Sequence, residues 1–467
     1  MGVTTKHPEY EAHEADWLLM EQAIVGEAAV KDDQRNLPKP AGMVAAEEKA
    51  KADGETVPAH LYNAYLSRAQ YQHWVKDGLR AMMGLVSRQI PEIKLPPALA
   101  GMEANATSDG FSLRQLFMRT VREVLTYGRQ ALLTDVDGSS QPFIARYTAQ
   151  SAINWKSTRQ NGREDLSLVV LQESRPADES DEFSHKAKSV YRVLDLQDRK
   201  YRVRVLDESG QAVEDEQHPG LKNTAGETVK PLDYLPIVFV GSTDNGPDVD
   251  EVPLLTMAKA ALKDFQLSAD YFTALHQTSH PQPWVSGLDG DTDLSVTGPA
   301  AAWDLGPNGS CGYLEFQGAG IEAVRQAMTD QKNAALEAGA RVMDVAGTES
   351  GEARKTRQND QHATLHSVVI TAAEAIEQAL RYAAEWVGAD PKAVTFSVKP
   401  DFKPVEVDPQ VLRELQAAVI AGGVSWDTYW MYLTTGKLPE HDYNLEAART
   451  ENPGGADDES EDGNGAE

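Results

Sequence analysis

Between Gly320 and Gly388 the sequence reads as a helix (Ile321 to about Met343), a short Gly-, Ser- and Thr-rich break (Ala346 to Gly351), and then a much longer helix. In that second helix Leu365, Val368, Val369, Ala372, Ile376, Ala379, Leu380, Ala383 and Trp386 recur at three- and four-residue steps, which places them on one face of a 3.6-residue period. Such a face requires a partner. The first ten or so residues lack the stripe and carry Arg354, Lys355, Arg357 and His362 instead, a local basic excess in a chain of net charge -28. At 1.5 Å per residue the run reaches roughly 50 Å, longer than a small domain is wide. A helix with one apolar end and one polar end must project from its own subunit or stand beside copies of itself.

Composition narrows the rest. A chain of 467 residues with 41% hydrophobic content has room for two to four domains around a sizeable core. The one cysteine, Cys311, excludes an intrachain disulfide and a thiolate metal cluster, and suits a reducing cytoplasm. Met1 to Tyr10 holds no apolar signal-peptide core, and no run is long enough to cross a bilayer, so solubility on synthesis and no membrane partner are expected. Seventy-two acidic against forty-four basic residues argues against wrapping nucleic acid by neutralising phosphates. A protein that handles DNA without gripping it is not excluded.

Taken in order, Tyr10 to Val30 reads as one helix, followed by a charged, Pro/Gly-rich stretch with a short helix near Ala45 to Ala52. Ala59 to Met83 and Ser112 to Tyr127 read as amphipathic helices, the latter opening on a Ser cap and closing on Gly128, with extended Pro-rich sequence (Ile90 to Pro97) between them. The period then changes to that of strands: Ala131 to Asp135, Phe143 to Tyr147, Leu166 to Gln172, Ser189 to Asp195, Tyr201 to Leu206 and Leu235 to Val240. Arg199 to Leu206 alternates charged and apolar residues, as a strand with one wet face does. Pro253 marks the start of a helix whose stripe (Leu254, Leu255, Ala258, Ala261, Leu262, Phe265, Ala269, Phe272, Leu275) runs to the stop at His280-Pro281. Pro281 to Ala319 is a small irregular or β module. Val394 to Phe402 reads as a strand, Asp408-Pro409 and Ser425 cap two further helices, and the tail from Glu451 holds seven carboxylates and no Lys or Arg, a composition expected to stay disordered. The fold class is α+β, and no internal repeat is visible.

A search for catalytic chemistry is largely empty. Thr434-Thr435-Gly436-Lys437 lacks the upstream glycine and downstream hydroxyl of a phosphate-binding loop, and Gly309-Ser310-Cys311-Gly312 lacks the spacing of a nucleophile elbow. Asp289, Asp291 and Asp293 resemble the opening of a calcium loop, but Leu294 stands where glycine belongs and Ala300 where a bidentate Glu belongs. His276 and His280 have a zinc-ligand spacing without the HExxH context, and histidines at a helix end beside a proline are ordinarily structural. Neither a cofactor nor an enzyme is expected.

The order helix, small insert, helix, short loop, long helix, set after a mixed region and before a small helical one, resembles the portal proteins of tailed bacteriophages. Local segments add to the resemblance: Tyr71-Gln72-His73-Trp74 with Gly84-Leu85-Val86-Ser87-Arg88, Pro91 to Pro97, and Glu123 to Arg129 leading into Leu132-Leu133-Thr134-Asp135. So do Ala152-Ile153-Asn154-Trp155, Leu235 to Phe239 leading to Val252-Pro253-Leu254-Leu255, and Ala383-Ala384-Glu385-Trp386. The series covers nearly everything from Tyr10 to Asn444.

The resemblance implies a wing (residues 1–250), a first stem helix (251–280), a clip (281–319), a second stem helix (320–344), a tunnel loop (345–353), a long wing helix (354–389), a crown and C-terminal region (390–450) and an acidic tail (451–467). Gly347, Thr348, Glu349, Ser350 and Gly351, with Arg354, Lys355 and Arg357, would face DNA. Trp284, Trp303, Tyr313 and Phe316 would meet the head-completion adaptor on the clip. Portals form rings, usually of twelve subunits, at one capsid vertex of the virion. The terminase motor drives double-stranded DNA through them, and they contact major capsid or scaffold protein. The apolar stripes of the stem helices would then be buried between subunits, and an acidic bore would let the duplex slide without sticking. Two alternatives use the same residues differently: a minor capsid or adaptor protein without a channel, and a metal-dependent nuclease built on Asp289 to Asp293.

Overall fold

A computed structural model describes residues 2–55, 59–136, 141–160, 163–177, 183, 185–222, 228–279, 282–287, 309–314, 319–340, 351–400, 409–421 and 423–435. The chain divides into two compact units, residues 1–400 and 401–467. The fold is α+β, with antiparallel strand pairing throughout the described sheets.

The first unit opens with α1 (Pro8–Val25) and α2 (Glu27–Asp32), where one helix is expected. Gly26 separates them, at φ 114°, and a Cβ there would stand 2.5 Å from the His73 imidazole, so only glycine lets the chain turn this close to its neighbour. After α3 (Ala41–Ala52) the expected helix Ala59 to Met83 is likewise two, α4 (Ala59–Arg68) and α5 (Trp74–Val86). The break has a cause. The Gln70 amide donates to Ser268 Oγ at 2.9 Å, and Tyr71 turns inward against Phe265, so distant partners outbid a local helical turn.

The short strand β1 (Glu92–Lys94) follows, then α6 (Leu113–Tyr127), which carries a reciprocal capping box between Ser112 and Gln115 and ends on left-handed Gly128. A Cβ on Gly128 would lie 2.9 Å from the Asp250 carbonyl oxygen, so glycine here brings α6 against the loop that launches the next long helix.

The middle of the chain is β2 (Arg129–Val136), β3 (Pro142–Thr148), β4 (Ala152–Gln160), β5 (Arg163–Pro176), β6 (Ala187–Gln197), β7 (Lys200–Leu206), β8 (Gly220–Lys222), β9 (Thr228–Pro231) and β10 (Ile237–Gly241). They form a three-stranded sheet in the order β10-β2-β3, a four-stranded meander β4-β5-β6-β7 and the pair β8-β9. On β7 the expected alternation holds, but its arginines are not simply solvated. Arg202 and Arg204 both converge on Asp195 of β6, itself 8% exposed, and with the guanidinium hydrogen bonds outweighing burial they hold its carboxyl below the usual range.

Helix α7 (Leu255–Thr278) starts two residues after the expected Pro253 and has no side-chain cap. It leads through β11 (Gln282–Ser286) and β12 (Ser310–Leu314) to α8 (Ala319–Ala335), which passes into a π-type turn, Leu336–Ala340, kinked at Gly339 with φ 120°. Within the expected second stem helix (320–344) Gly339 thus leaves helical backbone, and residues 341–344 lie outside the described residues.

Helix α9 (Gly351–Trp386) is 36 residues long, about 54 Å. Every residue of the predicted stripe, from Leu365 to Trp386, is buried. The strand β13 (Thr395–Ser397) pairs with β1, Glu92 opposite Ser397, so this part of the expected 390–450 region belongs to the first unit. In the second unit α10 (Pro409–Ile420) and α11 (Trp426–Thr435) match the two expected helices, and Ser425 Oγ accepts from the Thr428 amide at 3.2 Å as its predicted cap. The acidic tail from Glu451 lies outside the described residues.

Candidate functional site

The candidate site is an arm: α7, the strand pair β11-β12 and α8, followed in sequence by α9. Its root is fixed by the body. Leu254 at the N-cap of α7 and Ala258, Ala261, Phe265 and Ala269 along it are buried, where the helix packs on α1, α4 and α5 of the same chain. This corrects one expectation in part: these five residues of the stripe are covered inside the subunit and are not available to a neighbour, whereas Leu255 and Leu262 are only half-buried. Beyond Ala269, Phe272 and Leu275 are likewise half-buried, alongside α8.

Polar ties pin the same root. Tyr65 donates to Asp270 Oδ1 at 2.7 Å, Gln266 Nε2 donates to the Asn36 carbonyl at 3.0 Å, and Lys259 pairs with Asp16 at 3.1 Å. Burial, and after it the Asp270 bond, raises the Tyr65 hydroxyl's pKa, so the phenol stays a donor. Asp264 is 3% exposed, and burial alone pushes its carboxyl up to about 6.

The launch point is equally constrained. Asp250 Oδ2 accepts from the Thr243 amide at 2.6 Å, and Ser242 Oγ donates to the Glu251 carbonyl at 2.8 Å. These bonds make a compact loop between β10 and α7.

At the arm's far end β11 and β12 run antiparallel, Trp284 opposite Gly312 and Pro283 opposite Tyr313. The Trp284 ring lies over Gly312, where a Cβ would stand 3.1 Å from the indole nitrogen, yet the tryptophan remains 43% exposed. Cys311 is exposed on the same strand. Of the four residues assigned to adaptor contact, Trp284 and Tyr313 thus share one strand pair, and Trp303 and Phe316 lie outside the described residues.

The loop residues Gly347, Thr348, Glu349 and Ser350 also lie outside them. Gly351 is the first residue of α9, and Arg354, Lys355 and Arg357 fall in its first two turns. The far half of α9 is bolted to the sheet: Thr371 Oγ1 donates to the Gly241 carbonyl at 2.8 Å, Thr134 Oγ1 to the Ala379 carbonyl at 2.9 Å, and Tyr234 to Glu385 at 2.6 Å. These ties have no local signature, because their partners stand far apart in the chain.

Among the described residues no three His, Cys, Asp or Glu side chains gather as a metal site, and no helix is long and apolar enough to cross a membrane. His276 is exposed in the last turn of α7; His280, Asp289, Asp291 and Asp293 lie outside the described residues. The described arrangement holds a long two-helix arm by its root and a long helix by its far end.

A family model described as a domain of unknown function (DUF4055) matches residues 253–387, from the launch of α7 to the end of α9. The chain is similar to one from the virion of a native gene transfer agent particle, with 14% identity and a TM-score of 0.42, over 78% of this chain and 90% of that chain. It is also similar to a chain from the neck of the native particle computed with C12 symmetry, with 13% identity and a TM-score of 0.40 over 78% and 90%. A third is from the neck of the empty particle computed with C6 symmetry, with 12% identity and a TM-score of 0.38 over 78% and 89%. No curated protein matches.

Proposed function

We propose that the chain is a portal-type ring subunit, a structural protein of a tailed-phage-like virion and not an enzyme. The observation that carries this reading is the arm. Two helices run antiparallel and bracket a small β pair, and a 36-residue helix follows that lies across the sheet of its own body. That order, together with the segments from Tyr71 to Trp386 that resemble portals, supports a wing, stem, clip and long wing helix in sequence.

In this reading the outer half of the arm, with Phe272 and Leu275, meets neighbouring copies and closes a ring of about twelve. The β11-β12 end, with Trp284 and Tyr313, is the docking surface for a head-completion adaptor. The terminase and the capsid or scaffold protein bind elsewhere on the ring. Duplex DNA passes through a bore kept slippery by the chain's acidity, touched only near Arg354, Lys355 and Arg357, with contacts that are salt-sensitive and indifferent to sequence. The ring sits at a unique capsid vertex.

The test is loop shortening. Removing three residues between Gly347 and Gly351 is expected to leave rings intact in negative-stain images while cutting DNA packaging or retention in assembled particles. Normal packaging by such a variant overturns the loop's role, and an absence of rings from the unaltered protein overturns the ring itself.

A further inference from the structure

Residues Gly2 to Pro8 lead into α1 and lie along the outer edge of β4, where the His7 amide donates to the Ile153 carbonyl at 2.9 Å and Asn154 Nδ2 donates to the Thr5 carbonyl at 2.8 Å. Between this segment and the four-stranded sheet is a cavity of about 1060 Å³, with Leu166, Leu168, Val170 and Val193 among its lining. His7 holds the segment down in two ways. Its Nδ1 accepts from the Glu9 amide at 3.3 Å, capping α1, and its ring stacks on Trp155 with centroids 3.9 Å apart. The same indole carries the Arg129 guanidinium at 3.8 Å, and Phe239 covers that guanidinium at 4.0 Å. Arg129 is 1% exposed, and its Nη2 donates to the Pro247 carbonyl.

We propose that Gly2 to Pro8 is a strap latched by neutral His7 and released when the imidazole takes up a proton, opening the cavity over the sheet. Protonation acts against the latch at three points. A proton on Nδ1 removes the acceptor that caps α1. A cation at a helix N-terminus opposes the helix dipole. And the new charge shares one indole with the buried Arg129.

The charged groups facing His7 divide by element. From the sheet, Arg129 opposes the charge; from α1, Glu9 favours it; from the loop before α7, Asp248 favours it; Lys6 on the strap is engaged with Glu14 at 2.6 Å. Burial comes first among the causes and the balance lowers the imidazole's pKa. A depressed histidine favours its neutral form in the closed state, so the latch is whole above the ordinary value near 6.5 and is lost as pH falls through that value towards the lowered one.

Hydrogen-exchange mass spectrometry on the full chain tests this at the peptide spanning residues 2–10. Between about pH 7.5 and about pH 5.5, protection corrected for the intrinsic rate is expected to fall about fivefold in the unaltered protein. In His7→Asn, which keeps a short cap acceptor but does not titrate, it is expected to stay flat. An equal fall in His7→Asn, or no fall in the unaltered protein, overturns the latch.

Discussion

Phe265→Ala is expected to destabilise the subunit by about 3–5 kcal/mol, read as a shift of the denaturant midpoint at unchanged slope. Phe265 is fully buried, packs edge-on against Tyr71 with centroids 6.2 Å apart, and sits where α4, α5 and α7 meet. The cavity left behind has no simple way to collapse, because the α4-α5 break is itself tied to α7 through Gln70 and Ser268. Along the same helix Leu275→Asp is expected to do the reverse. Leu275 is half-buried, so subunit stability changes little while ring formation fails. Equal loss of stability in both variants would mean that the outer half of the arm is also folded against its own chain.

Glu123→Gln is expected to stabilise the protein at about pH 8, by on the order of 2–3 kcal/mol. Glu123 Oε1 is buried on α6 without a hydrogen-bond partner, and burial raises the carboxyl to about 7, against the opposing pull of Arg146 and Arg122. The sign follows from the direction. A carboxyl whose folded pKa lies above its unfolded one is stable while protonated, and that stability is lost as pH rises through 7. The advantage of glutamine therefore shrinks on acidification and is small near the ordinary value of 4.5. Thermal melts across the range check it; a difference that does not depend on pH would contradict the buried charge.

Much of the first unit was legible because burial imposes a period. The stripe from Leu365 to Trp386 is a helix face whose partner is a sheet, and nothing but spacing was needed to find it. Strands β2, β3, β5, β6, β7 and β10 were visible for the same reason. What failed were the places where a distant partner overrides the local pattern. The α4-α5 break depends on Ser268 and Phe265, some two hundred residues away, and the Gly26 break depends on how near His73 comes. Strand β4 is different, since its signal is local: Asn161-Gly162 stands between its end at Gln160 and the start of β5 at Arg163, the strongest short hairpin signature. Of the candidate site, the sequence showed the arm's two helices and the β module between them, but not that half of the α7 stripe is spent at the root. That division lies in which helices stack on α7, and periodicity along one helix carries no such information.

The most direct measurement is the native mass of the purified chain. A closed ring predicts a particle near twelve times the 51.0 kDa subunit, holding together through the outer half of the arm. A stable species at 51.0 kDa, with Phe272 and Leu275 protected from exchange within a single chain, would contradict it.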